Sequence, residues 1–534
     1  MGTGWWAAAL AAVAWTGALA QEPADGRAEQ AAVEAESAFA AIPEPWRAYY
    51  RDAAEADLVE DRLQRCLAYP DLPGNRWPDG HADAHCRFHA LEPLDVRTIE
   101  AYLAAGDAAA LDRLLDEMLD RHYSAQEFGE DIDVALEALH DASAETDLLT
   151  SRWLELAPDS AYANLARASH LRQAAWSARG GAWARETPRE SFQRMERFAE
   201  QALPLYREAI RIEPRLLPAY AGLLNLGILT SRDDLQREAI AGAQAQDPGC
   251  VEMARQRMNA LEPRWGGSYE EMLSFGAELS RHLPRRPQLA IHVAAPYADR
   301  GDVLVSEDAF TRETVAILEA AVRIGSNEGA LRQAANVVLN LPASEGGADH
   351  WKGVAMLLQE HRFNETSAWA HRQIGWQLLR LDPQWALRHA QRAEALDPED
   401  AFGQYLLGAG YRRTHRFEQA EQHYLAAAAD AVQRRGSLVE LSMMLLYGGG
   451  AEREQAAAKA KPHIDRLLDE YPDEGAAWAM RLDQSVITDA YVDLEVVREF
   501  LRHANRDDPW QAQRAEQLET ELGEQGVPAE RWRP

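Results

Sequence analysis

The sequence predicts an all-α fold in which antiparallel helical hairpins stack into a solenoid. The stretch LDRLLDEML, residues 111–119, places its leucines and methionine mostly three or four residues apart, which is the spacing of an amphipathic helix. Small residues also recur in the second half of the chain at a spacing of about 34 residues. No stretch alternates polar and apolar residues between hairpin turns, so we expect little β-strand.

The chain opens with an apolar, uncharged run, MGTGWWAAALAAVAWTGALA, and turns polar from Gln21. The step Ala18-Leu19-Ala20 fits the small-x-small rule of secretory signal peptides, so we expect cleavage after residue 20. An uncleaved anchor helix is the alternative, but the run is short for a membrane span. We therefore expect a mature protein that is periplasmic or secreted and has no integral membrane span.

Size and charge restrict the classes of protein that fit. The 534 residues are too many for one ordinary core, so we expect two or more packed units. The formal charge of −31 argues against a nucleic-acid partner, because phosphates are repelled without a dense basic patch. An anionic membrane surface is disfavoured for the same reason.

Composition divides the chain into five expected segments. After the leader comes an acidic stretch that ends in a loop rich in Trp, Pro and Cys, and helical patterns dominate from about residue 91. The expected segments are a signal peptide (1–20), an acidic and cysteine-containing segment (21–95), a helical domain (96–345), helical repeats (346–435) and C-terminal helices (436–534).

Two of the three cysteines lie in one loop-like segment. Cys66 and Cys86 flank a stretch rich in Pro, Gly and Asp, and in an oxidising compartment their pairing as a disulfide is the natural expectation. A loop of this length stabilises a fold by roughly 3 kcal/mol in the chain-entropy account. Two free thiols are the alternative, and Cys250 is expected to be a buried free thiol.

A metal site is a competing interpretation of the same segment. His81, His85 and His89 are spaced four residues apart, so on a helix they share one face and could converge on Zn²⁺. Cys86 directly follows one of these histidines and would point elsewhere, and a Pro-Asp-Gly step makes a helix start uncertain here. We therefore predict the disulfide and no metal ligands, with the histidine cluster as the alternative.

The stretch PEDAFGQYLLGAGYRRTHRFEQAEQHYLAAAAD, residues 398–430, resembles the tetratricopeptide repeat. Two of its small residues, Gly408 and Ala420, would allow the two helices of a hairpin to approach closely, and tyrosines would fill the remaining gaps. The residues at the spacing of the repeat are Leu407, Gly408, Tyr411, Ala420, Tyr424 and Ala427.

The preceding unit, residues 368–400, carries the same pattern at Gly375 and Ala386. Gly375 and Gly408 are 33 residues apart, one short of the usual period, and the shortfall falls in the turn at Asp382-Pro383. Neither unit has the aromatic residue that the repeat places three residues before its Leu/Ile-Gly step. Stacked hairpins of this kind leave a concave groove that holds extended peptides or helices of partner proteins.

Four further stretches occur in a recognisable order between residues 95 and 345. They are LAAGDAAALDRLL, RWLELAPDSAYANLARASHLRQAAWSARGGAWARET, AIRIEPRLLPAYAGLLNLGI and EPRWGGSYEEMLSFGAEL. Together they resemble the bacterial domain-of-unknown-function 4034 family. The resemblance implies a helical architecture and a bacterial origin, and it assigns no activity.

Two Gly-Gly steps in this region, in WSARGGAWARETP and EPRWGGSYEEM, carry tryptophans and arginines. One interpretation is that both are structural corners, with Trp176 and Trp183 largely buried near Trp265. The other is that the corners meet and line a pocket for a carboxylate or a peptide C-terminus. The candidate pocket residues are Trp176, Arg179, Trp183, Arg185, Arg264 and Trp265.

Signatures of enzymes are mostly absent from the sequence. It contains no GxxxxGK[ST] phosphate loop, no HExxH zinc helix and no GxSxG nucleophile elbow. The sequence therefore predicts a non-catalytic scaffold without a cofactor, which binds a protein or peptide partner, and its acidity favours a basic one. The alternative is an enzyme or metal-binding protein that uses the histidine cluster or the Trp/Arg corners.

Overall fold

The computed structural model describes residue 40 and residues 42–124, 130–182, 185–448, 452–489 and 491–534. The expected signal peptide and Trp183 lie outside the described residues. The described part of the chain contains 26 α-helices and six short 3-10 turns, and it contains no β-strand. The all-α prediction is confirmed. Among these helices, none is both long and apolar enough to cross a membrane.

The chain divides into two compact units, which we call the N-terminal unit (residues 48–365) and the C-terminal unit (residues 366–534 with the chain up to residue 47). Helix α1 (Trp46–Ala56) begins at the boundary. The N-terminal unit continues with α2 (Arg62–Ala68), α3 (His81–His89), α4 (Val96–Ala104), α5 (Ala108–Tyr123), α6 (Asp131–Val134), α7 (Ala144–Leu156), α8 (Ala161–Arg179), α9 (Arg189–Ile212), α10 (Leu217–Leu229), α11 (Asp233–Gln246), α12 (Val251–Ala260), α13 (Tyr269–Leu279), α14 (Ala290–Ser306), α15 (Arg312–Ile324), α16 (Glu328–Leu339) and α17 (His350–Phe363). The C-terminal unit contains α18 (Ala368–Leu378), α19 (Pro383–Leu396), α20 (Ala401–Arg413), α21 (Phe417–Ala427), α22 (Arg434–Tyr447), α23 (Arg453–Glu470), α24 (Gly475–Asp489), α25 (Leu494–His503) and α26 (Pro509–Glu524).

In both units, helices that follow one another pack together as hairpins. The closest pairs are α8 with α9, α10 with α11, α14 with α15 and α16 with α17, followed by α18 with α19, α20 with α21, α22 with α23 and α24 with α25. In six of the eight pairs, a connection of three to five residues forces the two helices to run antiparallel. In the C-terminal unit, α20 also contacts both α18 and α22, so the first helices of three successive hairpins lie side by side.

Capping side chains in the sequence fix where the helices that follow these connections begin. The carboxylate of Asp382 accepts hydrogen bonds from the N–H groups of Gln384 and Trp385, and Pro383 occupies the first position of α19. Asp400 caps α20 in the same way through the N–H of Gly403. Local side chains therefore fix the start of α19, after the turn of one hairpin, and the start of α20, at the connection to the next hairpin.

The repeat signature occupies the positions that the resemblance implies. A Cβ atom at Gly408 would lie only 2.7 Å from the ring of Tyr424, and one at Gly375 would lie 3.1 Å from the carbonyl oxygen of Ala386. Tyr411 is half-buried and stacks on His423, with ring centroids 5.2 Å apart. The buried members of the signature are Gly375, Ala386, Leu407, Gly408, Ala420, Tyr424 and Ala427. The tetratricopeptide-like hairpin prediction is confirmed.

We expect Gly408→Leu to lower the free energy of unfolding by about 1–3 kcal/mol, because the new side chain overlaps the buried ring of Tyr424. Gly403→Ala, in the same helix, is the matched control. A Cβ there makes only ordinary contacts, the nearest at 3.4 Å, so the better helix propensity of alanine should stabilise by up to ~1 kcal/mol. Guanidinium denaturation of both variants measures the difference. Equal stability of the two variants would show that α20 and α21 are not in close contact at Gly408.

The disulfide loop rests on a helix that is buried on nearly every face. Residues 353–363 of α17 are all buried, including several polar side chains. Among them, Arg362 donates to the carbonyl oxygen of Cys66 at 2.8 Å and to the carboxylate of Asp71 at 2.7 Å. The partners of this buried guanidinium thus come from the loop, which satisfies its charge and holds the loop on α17.

Cys66 in α2 and Cys86 in α3 form a disulfide, as predicted. Both residues are buried, and Cys250 is a buried free cysteine. The bond joins the two short helices that flank the Pro- and Gly-rich stretch. It therefore fixes the position of α3, which carries the three histidines of this segment.

Candidate functional site

The N-terminal unit contains a cavity of about 620 Å³, which we call the histidine cavity. Residues of α3, α12, α14 and α16 line it, and among its lining side chains are three histidines, two arginines and six carboxylates. His85, His89 and His292 are the histidines, and Arg255 and Arg264 are the arginines. The cavity is thus polar and has an excess of acidic groups.

Helix α3 begins directly after Gly80, whose φ of 75° is the left-handed conformation that glycine adopts most readily. The helix start that the sequence left uncertain is therefore real. His81, His85 and His89 follow one another along one face of α3, and neighbouring rings lie 6.1 Å and 4.5 Å apart. The spacing argument for a shared face is correct.

His81 does not contribute to a common site with the other two histidines, because both of its ring nitrogens are already engaged. Its Nδ1 lies 2.8 Å from the carbonyl oxygen of Pro287, which can only accept. Its Nε2 accepts from the backbone N–H of Ser326 at 3.1 Å. Burial lowers the pKa of His81 to about 4, so the ring is neutral with its proton on Nδ1.

These contacts place His85 between Ser326 and the remaining side chains of the cluster. The Ser326 hydroxyl lies 2.8 Å from Nε2 of His81 and 2.6 Å from Nδ1 of His85, so it bridges the two rings. Burial lowers the pKa of His85, which favours its neutral ring. Its Nε2 faces the third histidine of the helix and a carboxylate.

The carboxylate belongs to Glu328, the first residue of α16. Its Oε1 lies 3.2 Å from Nε2 of His85 and 2.6 Å from Nε2 of His89, and the two Nε2 atoms are 2.8 Å apart. Sequence reasoning missed Glu328, because it lies more than 200 residues away along the chain. It is one of 86 acidic residues and no local pattern distinguishes it.

The two Trp/Arg corners lie next to each other in the N-terminal unit. The rings of Trp176 and Trp265 meet edge to face with centroids 5.8 Å apart. The guanidinium of Arg179 lies 5.9 Å from each ring centroid and donates to the carbonyl oxygen of Gly180. Trp176 also donates from its indole N–H to Asn225 at 2.7 Å. These contacts favour the structural-corner interpretation for Trp176 and Arg179.

The other candidate residues of the two corners have different surroundings. Arg185 is exposed and pairs with its neighbour Glu186. Arg264 borders the histidine cavity, where it pairs with Glu262 and with Asp299 at 3.0 Å. Trp265 is 38% exposed, and Trp183 lies outside the described residues. Of the five candidates that the structure describes, Arg264 is the one that lines the histidine cavity.

A second concave feature, the aromatic groove, crosses α18, α20 and α22 in the C-terminal unit and has a volume of about 690 Å³. Its residues are Trp376, Gln377, Leu379, Arg380, Tyr405, Ala409, Arg412, Arg413, Tyr424 and Glu440. Trp376 is 42% exposed, and its ring centroid lies 5.9 Å from that of Phe402 and 6.1 Å from that of Tyr405. The groove therefore presents an open aromatic surface across the first helices of three successive hairpins.

The charge of the aromatic groove is the opposite of that of the whole chain. Three arginines and one glutamate line it. Arg412 pairs with Glu440, whereas Arg380 makes no ion pair within the described part of the chain. Burial, reinforced by the nearby carboxylate of Glu440, raises the pKa of Tyr405 to about 12, so its hydroxyl remains a neutral donor. The groove thus combines aromatic surface with excess positive charge.

The family model "Domain of unknown function (DUF4034)" matches residues 96–246. This range covers α4 to α11, including the hairpin of α8 and α9 and the tryptophan of the first corner. The resemblance that the sequence suggested up to residue 345 is therefore matched only in its first part. A search of curated proteins found no match.

Several solved structures of tetratricopeptide-repeat proteins are similar to parts of the chain. YrrB, described as a TPR protein with an unusual peptide-binding site, is 19% identical, covers 38% of this chain and 96% of its own, and has a TM-score of 0.30. The P58(IPK) TPR domain is 12% identical and covers 72% and 95%, with a TM-score of 0.24. The APC/C hetero-tetramer Cut9-Hcn1 is also 12% identical and covers 91% and 98%, with a TM-score of 0.30.

Proposed function

We propose that the protein is an exported, non-catalytic helical-repeat scaffold that binds an extended, carboxylate-bearing peptide segment of a partner protein in the aromatic groove. The observation that carries the proposal is the half-exposed ring of Trp376 beside Tyr405, on a concave face lined by arginines. The fold itself supports such a role, because the concave surface of stacked hairpins is the usual binding surface of solenoid proteins.

The aromatic surface supplies the contact area for such a segment. A tryptophan that is 42% exposed leaves much apolar area in water, and covering it with a partner recovers about 25 cal/mol for each Å². Tryptophan, tyrosine and arginine are also the residues that most often dominate the energy of protein interfaces. Trp376, Tyr405 and Arg380 bring all three types together in the aromatic groove.

The arginines determine which chemistry the groove prefers. The acidity of the whole chain suggested a basic partner, but local charge decides contacts within a groove, since distant charges are screened beyond about 8–10 Å. Among the described residues that line the groove, three are basic (Arg380, Arg412 and Arg413) and one, Glu440, is acidic. Arginine pairs with carboxylates through two parallel hydrogen bonds, so acidic side chains or a C-terminal carboxylate fit best.

Export is supported by the disulfide between Cys66 and Cys86. Disulfides form and persist in oxidising compartments such as the bacterial periplasm and are rare in the cytosol. The peptide partner is accordingly expected among proteins of the same compartment.

The test is a selection of random twelve-residue peptides on the purified protein, followed by fluorescence-anisotropy titration of the enriched peptides. We expect enrichment of Asp and Glu together with an apolar residue. Trp376→Ala should weaken binding at least about tenfold, which corresponds to 1.4 kcal/mol, and Arg380→Glu should do the same for the acidic peptides.

Leu425→Ala is the control variant for this titration. Leu425 is 43% exposed on α21, the second helix of a hairpin, and does not line the groove. Its replacement should leave peptide affinity unchanged. The proposal fails if no peptide is enriched, or if Trp376→Ala and Arg380→Glu bind the enriched peptides as tightly as Leu425→Ala does.

A further inference from the structure

We propose that His85, His89 and Glu328 form a binding site for a divalent transition-metal ion, Zn²⁺ in the first instance, in the wall of the histidine cavity. Nε2 of both histidines and Oε1 of the glutamate are the ligand atoms. The site lies in the N-terminal unit and its argument is independent of the proposed peptide groove.

The positions of the three atoms suit a single ion. They lie between 2.6 and 3.2 Å from one another. An ion placed off the plane of the three atoms can approach each of them to about 2.0–2.2 Å, the distance of Zn²⁺ from imidazole nitrogen and carboxylate oxygen. Two histidines and one glutamate are also a donor set that Zn²⁺ uses in proteins.

The electrostatics of the cluster call for a cation. The two Nε2 atoms and Oε1 of Glu328 make three mutual contacts of 2.6–3.2 Å. Each ring nitrogen carries at most one proton, so hydrogen bonds from both histidines to Glu328 would leave the 2.8 Å contact between the two Nε2 atoms as one between two donors. A bound cation attracts all three atoms at once, so an ion accounts for all three contacts.

The surrounding structure holds the ligands in place before any ion binds. Nδ1 of His85 is held by the hydroxyl of Ser326, and the ring of Phe363 stacks on the His85 ring with centroids 4.2 Å apart. Hydrogen bonds to the second ring nitrogen of a ligand fix its tautomer and orientation, as they do in known zinc sites. The disulfide at Cys86 anchors the helix that carries both histidines.

A small molecule can also reach the site through the histidine cavity. All three ligand residues line the histidine cavity of about 620 Å³. Zinc sites with three protein ligands keep a fourth position for water or a small molecule. The same cavity also presents His292 and Arg255, and this arginine is paired with Glu252.

The experiment begins with purified protein stripped of metal with EDTA, into which ZnCl₂ is titrated in a calorimeter, with the stoichiometry checked by elemental analysis. We expect one high-affinity Zn²⁺ per chain. His89→Ala and Glu328→Gln should each weaken binding at least about tenfold, because each removes a ligand atom. His503→Ala, which removes a histidine from the end of α25 in the other unit, should bind Zn²⁺ as the wild type does.

Co²⁺ provides a second readout that does not depend on any variant folding correctly. In the wild-type protein, bound Co²⁺ should give visible ligand-field bands of nitrogen and oxygen coordination, and an equivalent of Zn²⁺ should abolish them. The proposal is overturned if the wild type takes up no Zn²⁺, if Co²⁺ gives no such bands, or if folded His89→Ala and Glu328→Gln bind as tightly as His503→Ala.

Discussion

Trp153→Ala is expected to lower the free energy of unfolding by about 3–5 kcal/mol, the usual effect of emptying a buried aromatic site. Trp153 lies in α7 and is fully buried, and it belongs to an extensive apolar cluster of the N-terminal unit. Leu103, Leu111 and Ala166 are among the fully enclosed members of that cluster. Guanidinium denaturation followed by circular dichroism measures the change.

Trp153→Phe separates the loss of volume from the loss of a polar group. The indole N–H of Trp153 is buried without a hydrogen-bond partner among the described residues, which costs the folded state about 1–3 kcal/mol. Phenylalanine removes that cost while keeping most of the apolar contact. We therefore expect Trp153→Phe to lower stability by only about 1 kcal/mol or less. Equal losses for the two variants would contradict the packing that places Trp153 at the centre of this core.

The hairpins could be predicted because their determinants are local. Gly375 and Gly408 recur at nearly the period of the repeat, and both lie where a Cβ would overlap atoms of a neighbouring helix. Asp382 and Asp400 begin the helices that follow the turns. Small residues, caps and turns act within about ten residues of each other, so a single sequence contains the information for one hairpin. The spacing of hairpins then follows from their repetition.

The aromatic groove was missed, although one signal for it is present. The glycine of each signature faces the second helix of its hairpin, and the next residue is rotated by about 100° around the helix. Trp376 follows Gly375 and Ala409 follows Gly408, and both line the groove. A large aromatic residue directly after a signature glycine is thus a sequence pattern for this surface. Whether arginines lie beside this aromatic residue depends on how neighbouring hairpins pack, and the sequence alone does not determine that packing.

The segment that holds the cysteines and histidines was partly predictable. In the sequence, a disulfide and a metal-binding histidine cluster compete as interpretations, because Cys86 directly follows His85. The structure contains the disulfide and also brings His85 and His89 together, since adjacent residues of a helix point about 100° apart and can serve different partners. The remaining proposed ligand, Glu328, comes from a helix that only tertiary packing brings to α3. The i, i+4 spacing of histidines could therefore supply two ligands of the three.

The surroundings of the arginines in the Trp/Arg corners could not be predicted from the sequence either. The composition of the two Gly-Gly stretches suggested that they meet, and Trp176 does contact Trp265. The sequence does not determine which arginine faces a cavity. Arg179 lies among the aromatic rings, whereas Arg264 turns to the histidine cavity through its pairs with Glu262 and Asp299. Such choices depend on carboxylates supplied by other helices, and an abundance of carboxylates makes them impossible to assign from spacing.

Replacing Cys66 and Cys86 together by alanine is expected to lower the free energy of unfolding by about 3 kcal/mol. The bond closes a loop between residues that are 20 positions apart, and losing that restraint increases the entropy of the unfolded chain. Denaturation with and without dithiothreitol measures the effect, with reductant added to the unfolded protein because both cysteines are buried. The wild type should lose about the same amount in reductant, while the double variant should not respond. Cys250→Ala is the control that should still respond to reductant.

The double cysteine variant also distinguishes an effect of the disulfide on overall stability from an effect on the position of α3. Cys86 lies beside His85 in the nine-residue helix α3, which packs against α17 and α2. A helix this short is marginal by itself and depends on tertiary restraint. If the bond is what holds α3 in place, the double variant should lose Zn²⁺ affinity as well as stability, because ordering the two histidines then costs free energy at the moment of binding. Unchanged Zn²⁺ affinity in a double variant that has lost about 3 kcal/mol would mean that packing against its neighbours positions α3 without the bond, and that the bond acts only on the unfolded chain.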